Sequence, residues 1–502
     1  MDFRISAVDS TILAVYVAIT LALGLWIGRG SGTLNRFMVG GRDLPWWAVL
    51  GSIIATETSA VTFLSIPGLA FVGGGNFFFL QLAIGLIIGR MIVVVWLLPS
   101  FFRGELFTAY EVLKSRFGVL TQRTAAGIFI VTRTVADGLR LYLTAMVLGQ
   151  VTGMSLTVCV LSIGVVTIIY ATYGGIRSVV WNDCIQLVVY LIGAVVAIAV
   201  MADRLPTGFL GIVEFGRETG RFAVIDRSPF SFASQNLWAG IIGGIFLTLA
   251  THGTDQMMVQ RYLCSRSLGQ ARLAVALSGP LVALQFALFL LVGVSLAAWV
   301  RFTGAEMPED NDAVFAAFIV QHMPVGICGL TLAAVFSVAM STLSSSLSSS
   351  ASSVVSDFIK RERPTTGIAT GIVAEDRRLT YWGRLWTVTF GVLQMVVAIV
   401  VIHSPSLIAG SAVNQVITVA GFAAGLIVGV FLLGRSSRRF AQRSGVIGML
   451  VAFLVTSVLI YPPIEVPWAI NGWWAALIAS SVCFLVAYLI DIVFPARQDH
   501  PA

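Results

Sequence analysis

IATETSAVTFLSIPG, residues 54–68, lies inside an apolar run and puts Thr56, Glu57, Thr58, Ser59 and Thr62 where a membrane-crossing helix should be hydrocarbon. Polar and ionisable side chains at that depth are costly and mark function by default. Gly51 precedes the cluster, Pro67 follows it, and hydroxyl or β-branched residues fill the interior. Two readings stand. In one the helix unwinds here and its freed backbone carbonyls hold a cation, because lipid offers them no other partner. In the other the helix runs on and a protonated Glu57 is capped by neighbouring hydroxyls. The first is the expectation.

The rest of the chain sets the class. Of 502 residues 57% are hydrophobic and 11% charged, with a mean hydropathy of +0.92, whereas a soluble domain carries about 25% charged residues. This excludes a soluble enzyme, a nucleic-acid binder and a disordered chain. The net charge of +7 comes from basic residues clustered between apolar runs, which is a membrane-topology pattern. Five scattered cysteines (Cys159, Cys184, Cys264, Cys328, Cys483) read as buried free thiols rather than disulfides or a metal site. Four isolated histidines argue against a catalytic metal. With no nucleophile–base pair or phosphate loop, the chain does not read as an enzyme.

A spanning helix needs about 20 apolar residues. About thirteen runs qualify: 8–29, 46–72, 76–100, 121–151, 154–173, 178–202, 233–262, 272–302, 323–358, 380–403, 407–434, 443–462 and 469–494. They are numbered here as spans 0 to 12, so residues 54–68 fall in span 1. The first is not a cleavable signal, because its apolar stretch is long and its basic flank, Arg29, follows it. With the N-terminus outside and the C-terminus cytoplasmic, 22 Lys and Arg residues fall inside, 6 outside, and Arg90, Arg133 and Arg140 at membrane depth. The positive-inside rule selects that orientation for a multi-pass plasma (inner) membrane protein.

Two further places carry polar groups at depth. From Ser341 to Ser356 there are ten serines and one threonine in sixteen residues. Ser341, Thr342 and Ser345 share a helix face, where small hydroxyls either serve close packing or offer oxygen to a hard cation. Asp183, in YGGIRSVVWNDCIQ (residues 173–186), is a cation ligand, a proton carrier, or half of an ion pair with Arg177. Asp137 is different: Arg133 and Arg140 stand four and three residues away, and a local structural ion pair is expected.

At these residues the chain resembles the sodium/solute symporter family, which includes sodium-coupled glucose, proline, sialic acid, pantothenate and iodide transporters. The likeness runs over roughly residues 8–440. It rests on FMVGGRDLPWW (37–47), FTAYEVLKSRFG (107–118), YGGIRSVVWNDCIQ (173–186), GTDQMMVQRYL (253–263) and AAVFSVAMSTLSSSLSSSASSVVSDF (333–358), in the family's order. The resemblance implies an all-α integral membrane fold with a five-plus-five inverted repeat and broken helices 1 and 6. Its parts would be an N-terminal helix and inner loop (1–45), a first repeat (46–202), an external loop (203–232), a second repeat (233–434) and peripheral helices with the tail (435–502). Gly243, Gly244 and Gly253, with Thr248, Thr251 and His252 among them, mark span 6 as the second broken helix.

Carried over position by position, the shared sodium site uses the carbonyls of Ala55, Thr58 and Val338 and the hydroxyls of Ser341 and Thr342. Some members add a second sodium, for which Asp183, Ser341, Ser344 and Ser345 are the matching positions. The solute region maps to Glu57, Thr62, Gln81, Thr248, Thr251 and Gln415. Related sugar transporters have an amide at the position of Glu57 and an aromatic near Thr251, so a hexose is disfavoured. An unpaired buried anion is expensive, and no Lys or Arg is near Glu57 on spans 1, 6 or 8, so its carboxylate points to an amine or amino-acid-like solute. The expected activity is sodium-coupled symport of a small polar organic solute by alternating access, with one or two sodium ions, in a bilayer, without nucleic acid and with a monomer sufficing. The rivals are a proton-coupled transporter using Asp183 or Glu57, and a non-transporting membrane sensor.

Overall fold

Helix stops at Thr58 and Ser59 and starts again at Ala60, with the two halves bent by 61°. The polar cluster thus breaks span 1 as expected from its composition. The computed structural model describes residues 6–30, 32–104, 106–360, 369–404, 412–435, 440–460 and 470–495. The helices that matter are α1 (Ala7–Gly28), α2 (Trp46–Glu57), α3 (Ala60–Phe71), α4 (Leu80–Phe101), α5 (Val119–Thr152), α6 (Leu156–Asp203), α7 (Ala239–Thr251), α8 (Gln256–Leu263), α9 (Leu268–Thr303), α10 (Ile327–Ile359), α11 (Ala369–His403), α12 (Ala412–Gly434), α13 (Gln442–Ile460) and α14 (Gly472–Val493).

Among the described residues nine helices are long and apolar enough to cross a membrane, or ten with the bent α2–α3 pair. Three features separate this from the thirteen runs read in the sequence. α5 carries Arg133, Asp137 and Arg140 along its length. The seventh run is split into α7 and α8. The runs numbered 4 and 5 form one 48-residue helix interrupted at Gly175, where φ is +58°. At about 1.5 Å per residue such a helix would be more than twice as long as a ~30 Å hydrocarbon core, so the interruption is what lets α6 serve as two spans.

Helices in lipid gain little from hydrophobic contact with one another and associate through close packing of small residues. The chain does this repeatedly. A Cβ on Gly85 of α4 would lie 2.8 Å from Gly244 Cα of α7, and one on Gly28 of α1 would lie 2.8 Å from Gly174 Cα. α10 is the central post: every residue from 331 to 353 is buried. Its N-terminal end is held by Asp9 of α1, whose Oδ1 accepts from the N–H groups of Gly326 and Gly329 at 2.7 Å each, an anion placed at a helix start. Many serines of α10 serve packing and helix-to-helix bonds. Gln394 of α11 donates to Ser346 at 2.8 Å, and Gln260 of α8 donates to Ser352 at 2.8 Å.

Candidate functional site

On the α2 side of the break in span 1, Thr58 donates its hydroxyl to the Ile54 carbonyl at 3.0 Å. Ser59 and Thr62 form a capping box that satisfies the start of α3. Ser59 N–H turns to Thr62 Oγ1 at 3.3 Å, so the carbonyl of Ala55, four residues back, loses its helical donor. Thr342 of α10 reaches into this gap, its Oγ1 lying 3.4 Å from the Thr58 carbonyl and 3.3 Å from that of Val338. Ser341 stands beside it, buried, and donates to Asp183 Oδ1 at 2.6 Å. Thr58, Val338 and Thr342 therefore meet between α2 and α10, with Ala55 in the last turn of α2 and Ser341 next in sequence but bonded to Asp183. These are all oxygen donors, the set a hard monovalent cation takes.

Asp183 is fully buried and does not meet Arg177, which pairs instead with Asp43 at 2.9 Å. Its cation is Arg261 of α8, with Nη2 3.0 Å from Oδ2. Ser52 also donates to Oδ2, at 2.5 Å, and Thr56 Oγ1 lies 3.3 Å away. Arg261 uses its other donors on Ser52 (2.8 Å), Ser345 and the Met257 carbonyl (2.6 Å). Of the positions matched to a second sodium, Asp183, Ser341 and Ser345 come together. Ser344 does not join them, donating instead to the Ser341 carbonyl at 3.1 Å.

Between the two broken helices lies a cavity of about 870 Å³ including its mouth, within the size of ordinary small-molecule sites. Thr56, Glu57, Ser59 and Thr62 line it from one break, and Thr251, His252 and Asp255 from the other. α5 contributes Arg133 and Arg140, and Phe79, Leu247 and Phe286 supply apolar wall. Glu57, Thr62 and Thr251 thus face the cavity as expected. Gln81 and Thr248 do not. Gln81 is fully buried and its Oε1 accepts the Asp226 N–H at 3.0 Å, while Thr248 packs on α4 and donates to Leu86 at 3.4 Å. Gln415 lies in α12, and its side chain is outside the described residues.

Glu57 is not an unpaired anion. Arg90 of α4 pairs with it, which removes the need for a cationic group on the solute. Arg90 Nη2 also lies 3.1 Å from His252 Nε2. The same Nε2 is 3.5 Å from Glu57 Oε2, and His252 Nδ1 is 2.9 Å from the Tyr262 hydroxyl, so the imidazole links Glu57 and Arg90 to α8. On α5 the expected local pairs form, Arg140 to Asp137 at 2.6 Å and Arg133 to Asp137 at 3.7 Å, but Arg133 also bonds Asp255 across the second break. Among the described residues, buried Nε of Arg140 and buried Nε and Nη1 of Arg90 have no hydrogen-bond partner.

A helical membrane protein with two broken helices, an all-oxygen pocket at one break and a polar cavity between them is a secondary transporter. The sodium:solute symporter family model matches residues 37–452, and the chain belongs to that family. It is 27% identical over 487 residues to the sodium/sialic acid symporter NanT of Aliivibrio fischeri, covering 96% of this chain and 92% of that one. It is 28% identical over 479 residues to the human sodium/iodide cotransporter, covering 91% and 71%. A solved outward-open, substrate-bound Na+-coupled sialic acid symporter superposes with a TM-score of 0.86 at 25% identity, covering 97% of this chain and 98% of that one. The chain is a multi-pass, sodium-coupled transporter of the inverted-repeat type, and sodium is its coupling ion.

Arg90 and Arg261 are the residues that sequence reasoning placed least well. Arg90 is noted at depth, yet its pairing with Glu57 requires knowing that spans 1 and 2 meet. Arg261 is one of the 22 Lys and Arg residues placed on the inner side by the charge count, yet it is fully buried in α8. The usable signal is charge balance: Asp183 at depth calls for a cation, and Arg261 closes a segment that follows a glycine-marked break.

Proposed function

We propose that this symporter takes a small carboxylate-bearing solute into the cell together with sodium, with the N-terminus outside and the C-terminus cytoplasmic. The observation that carries the reading is Arg140 on the cavity wall, which pairs with Asp137 through Nη1 alone and, among the described residues, keeps a buried Nε without a hydrogen-bond partner. Arg133, by contrast, is shared by Asp137 and Asp255, and Glu57 is paired with Arg90. The unpartnered N–H at Arg140 lacks an acceptor, and a buried donor left without one costs about 1–3 kcal/mol. Arg140 is the natural anchor, being a planar donor suited to a carboxylate. Ser59, Thr62 and Thr251 offer hydroxyls to a polar body, and Phe79 and Phe286 cover its apolar face. Two relatives above are named for sialic acid, which carries a carboxylate, and iodide, which is also an anion.

The oxygens of Ala55, Thr58, Val338, Ser341 and Thr342 form the sodium site on this reading. Sodium there ties α2 to α10, and because it favours the conformation in which those helices meet, it biases the alternating-access equilibrium. Proteoliposomes with an inward sodium gradient test the whole. Labelled sialic acid and lactate should enter, or compete with one another, where glucose and choline do not. Uptake of choline with exclusion of both acids would return the solute assignment to Glu57.

A further inference from the structure

The carboxylate of Glu57 has two oxygens, and the protein employs one of them. Oε2 pairs with Arg90 and lies 3.5 Å from His252 Nε2. Among the described residues Oε1 accepts no hydrogen bond. The side chain is 16% exposed and lines the solute cavity, so Oε1 is within reach of what enters there. The hydroxyls on the same wall have partners of their own. Thr251 donates to the Leu247 carbonyl at 2.9 Å, Thr56 Oγ1 lies 3.3 Å from Asp183 Oδ2, and Ser59 and Thr62 bond each other at 3.0 Å. An ionised carboxylate only accepts, so a solute that displaces water from this oxygen must bring a donor of its own.

The cavity therefore makes two demands on one molecule, an anion at Arg140 and a donor at Glu57. We infer that the solute is a hydroxy-carboxylate, held through its carboxylate by Arg140 and through a hydroxyl proton by Glu57 Oε1. The donor is neutral on charge grounds. Arg90 already lies on Glu57, so an ammonium group at Oε1 would stand beside a guanidinium, and like charges repel. The fixed charges around the cavity also cancel: Glu57, Asp137 and Asp255 against Arg90, Arg133 and Arg140. One sodium with one carboxylate keeps that balance, whereas a sodium with a zwitterion leaves a buried positive charge uncompensated. Glu57 is thus the residue that sets specificity among carboxylates. It lies outside the five stretches on which the family likeness rests, as a residue particular to this chain's solute should.

The inference deepens the carboxylate reading above and rests on it, and three labelled acids separate the two. Lactate, propionate and alanine differ only in carrying a hydroxyl, a hydrogen or an ammonium group beside the carboxylate. A site built to bond a hydroxyl rejects the analogue that lacks it, because its own polar atom is then left unpaired. Equilibrium binding to the full chain in nanodiscs, at saturating sodium, should rank lactate first, with propionate and alanine weaker by about tenfold or more. Removing the pair together, Glu57→Met with Arg90→Met, should weaken lactate by about tenfold and leave propionate nearly unchanged, so that the preference disappears. Equal binding of lactate and propionate to the wild type overturns this inference and leaves the carboxylate reading standing. Binding of none of the three overturns both. Alanine bound as tightly as lactate overturns the hydroxyl assignment, and so does a preference for lactate that survives in the double variant. Should that variant fail to fold, the wild-type ranking decides.

Discussion

Ser341 and Asp183, 158 residues apart in sequence, are joined by a 2.6 Å hydrogen bond between α10 and α6, beside the sodium site proposed at Thr342. The hydroxyl donates this hydrogen bond to the carboxylate, which leaves its oxygen lone pairs free for the sodium proposed at Thr342. Ser341 is the position that the resemblance assigns to both sodium sites, and its one side-chain bond runs to Asp183.

The sodium site gives the first expectation. Ser341→Ala with Thr342→Ala removes the two hydroxyls without opening a large cavity. The half-saturating sodium concentration for uptake should rise tenfold to a hundredfold, matching ~1–3 kcal/mol for lost polar contacts. Expression should be close to wild type. Unchanged sodium affinity in the double variant would remove these hydroxyls from the site.

Glu57 and Arg90 give the second. Glu57→Gln leaves a buried guanidinium without its counter-charge, and thermal melting should show a loss of about 3–5 kcal/mol. Arg90→Met in the same chain should restore most of it, because the pair goes together. A double-mutant cycle measures the coupling. Additive losses would mean that the two side chains do not depend on each other.

Arg140 gives the third. Arg140→Gln keeps a polar group but loses the charge and the planar fork. Binding of a carboxylate solute should weaken by about 2–5 kcal/mol if the contact is desolvated, while sodium binding in the absence of solute stays as in wild type. A titration of each ligand separately distinguishes the two. Equal loss of both would make Arg140 a general structural support.

Helix packing gives the fourth. Gly85→Val drives a side chain into the backbone of α7, where a Cβ would lie 2.8 Å from Gly244 Cα. The expected cost is about 1–3 kcal/mol or more, seen as a lower melting temperature and aggregation on size-exclusion chromatography. Gly73→Ala is the control, since nothing lies within 4 Å of its added Cβ. Equal behaviour of the two would refute close packing of α4 on α7.

The broken helix in span 1 is legible in the sequence because its polar residues stand against a hydrocarbon expectation that admits few exceptions. The break before α8 is fainter, marked by Gly253 and neighbouring hydroxyls rather than by a run of them. Freed carbonyls in span 1 and hydroxyls near Thr342 are legible in the residues, but which of these oxygens go together is reached through the resemblance, since a backbone carbonyl leaves no trace in residue identity. Ion pairing is the least legible part. Arg90 with Glu57 and Arg261 with Asp183 join helices 33 and 78 residues apart, and no periodicity within one helix encodes a partner on another. Gln81 and Thr248 show the converse, as polar residues at the right depth that packing turns away from the cavity.

The guanidinium of Arg261 cannot leave the chain, and its pairing with Asp183 has a consequence for energetics across the bilayer. A buried pair that is neutral as a whole adds nothing to the charge a turnover carries, which is set by the ions and the solute that cross. One Na+ with one monocarboxylate would be electroneutral, and uptake into vesicles clamped at different voltages would be flat. A second sodium would instead draw on about 2.3 kcal/mol per 100 mV, and accumulation would fall in a cell whose membrane has depolarised.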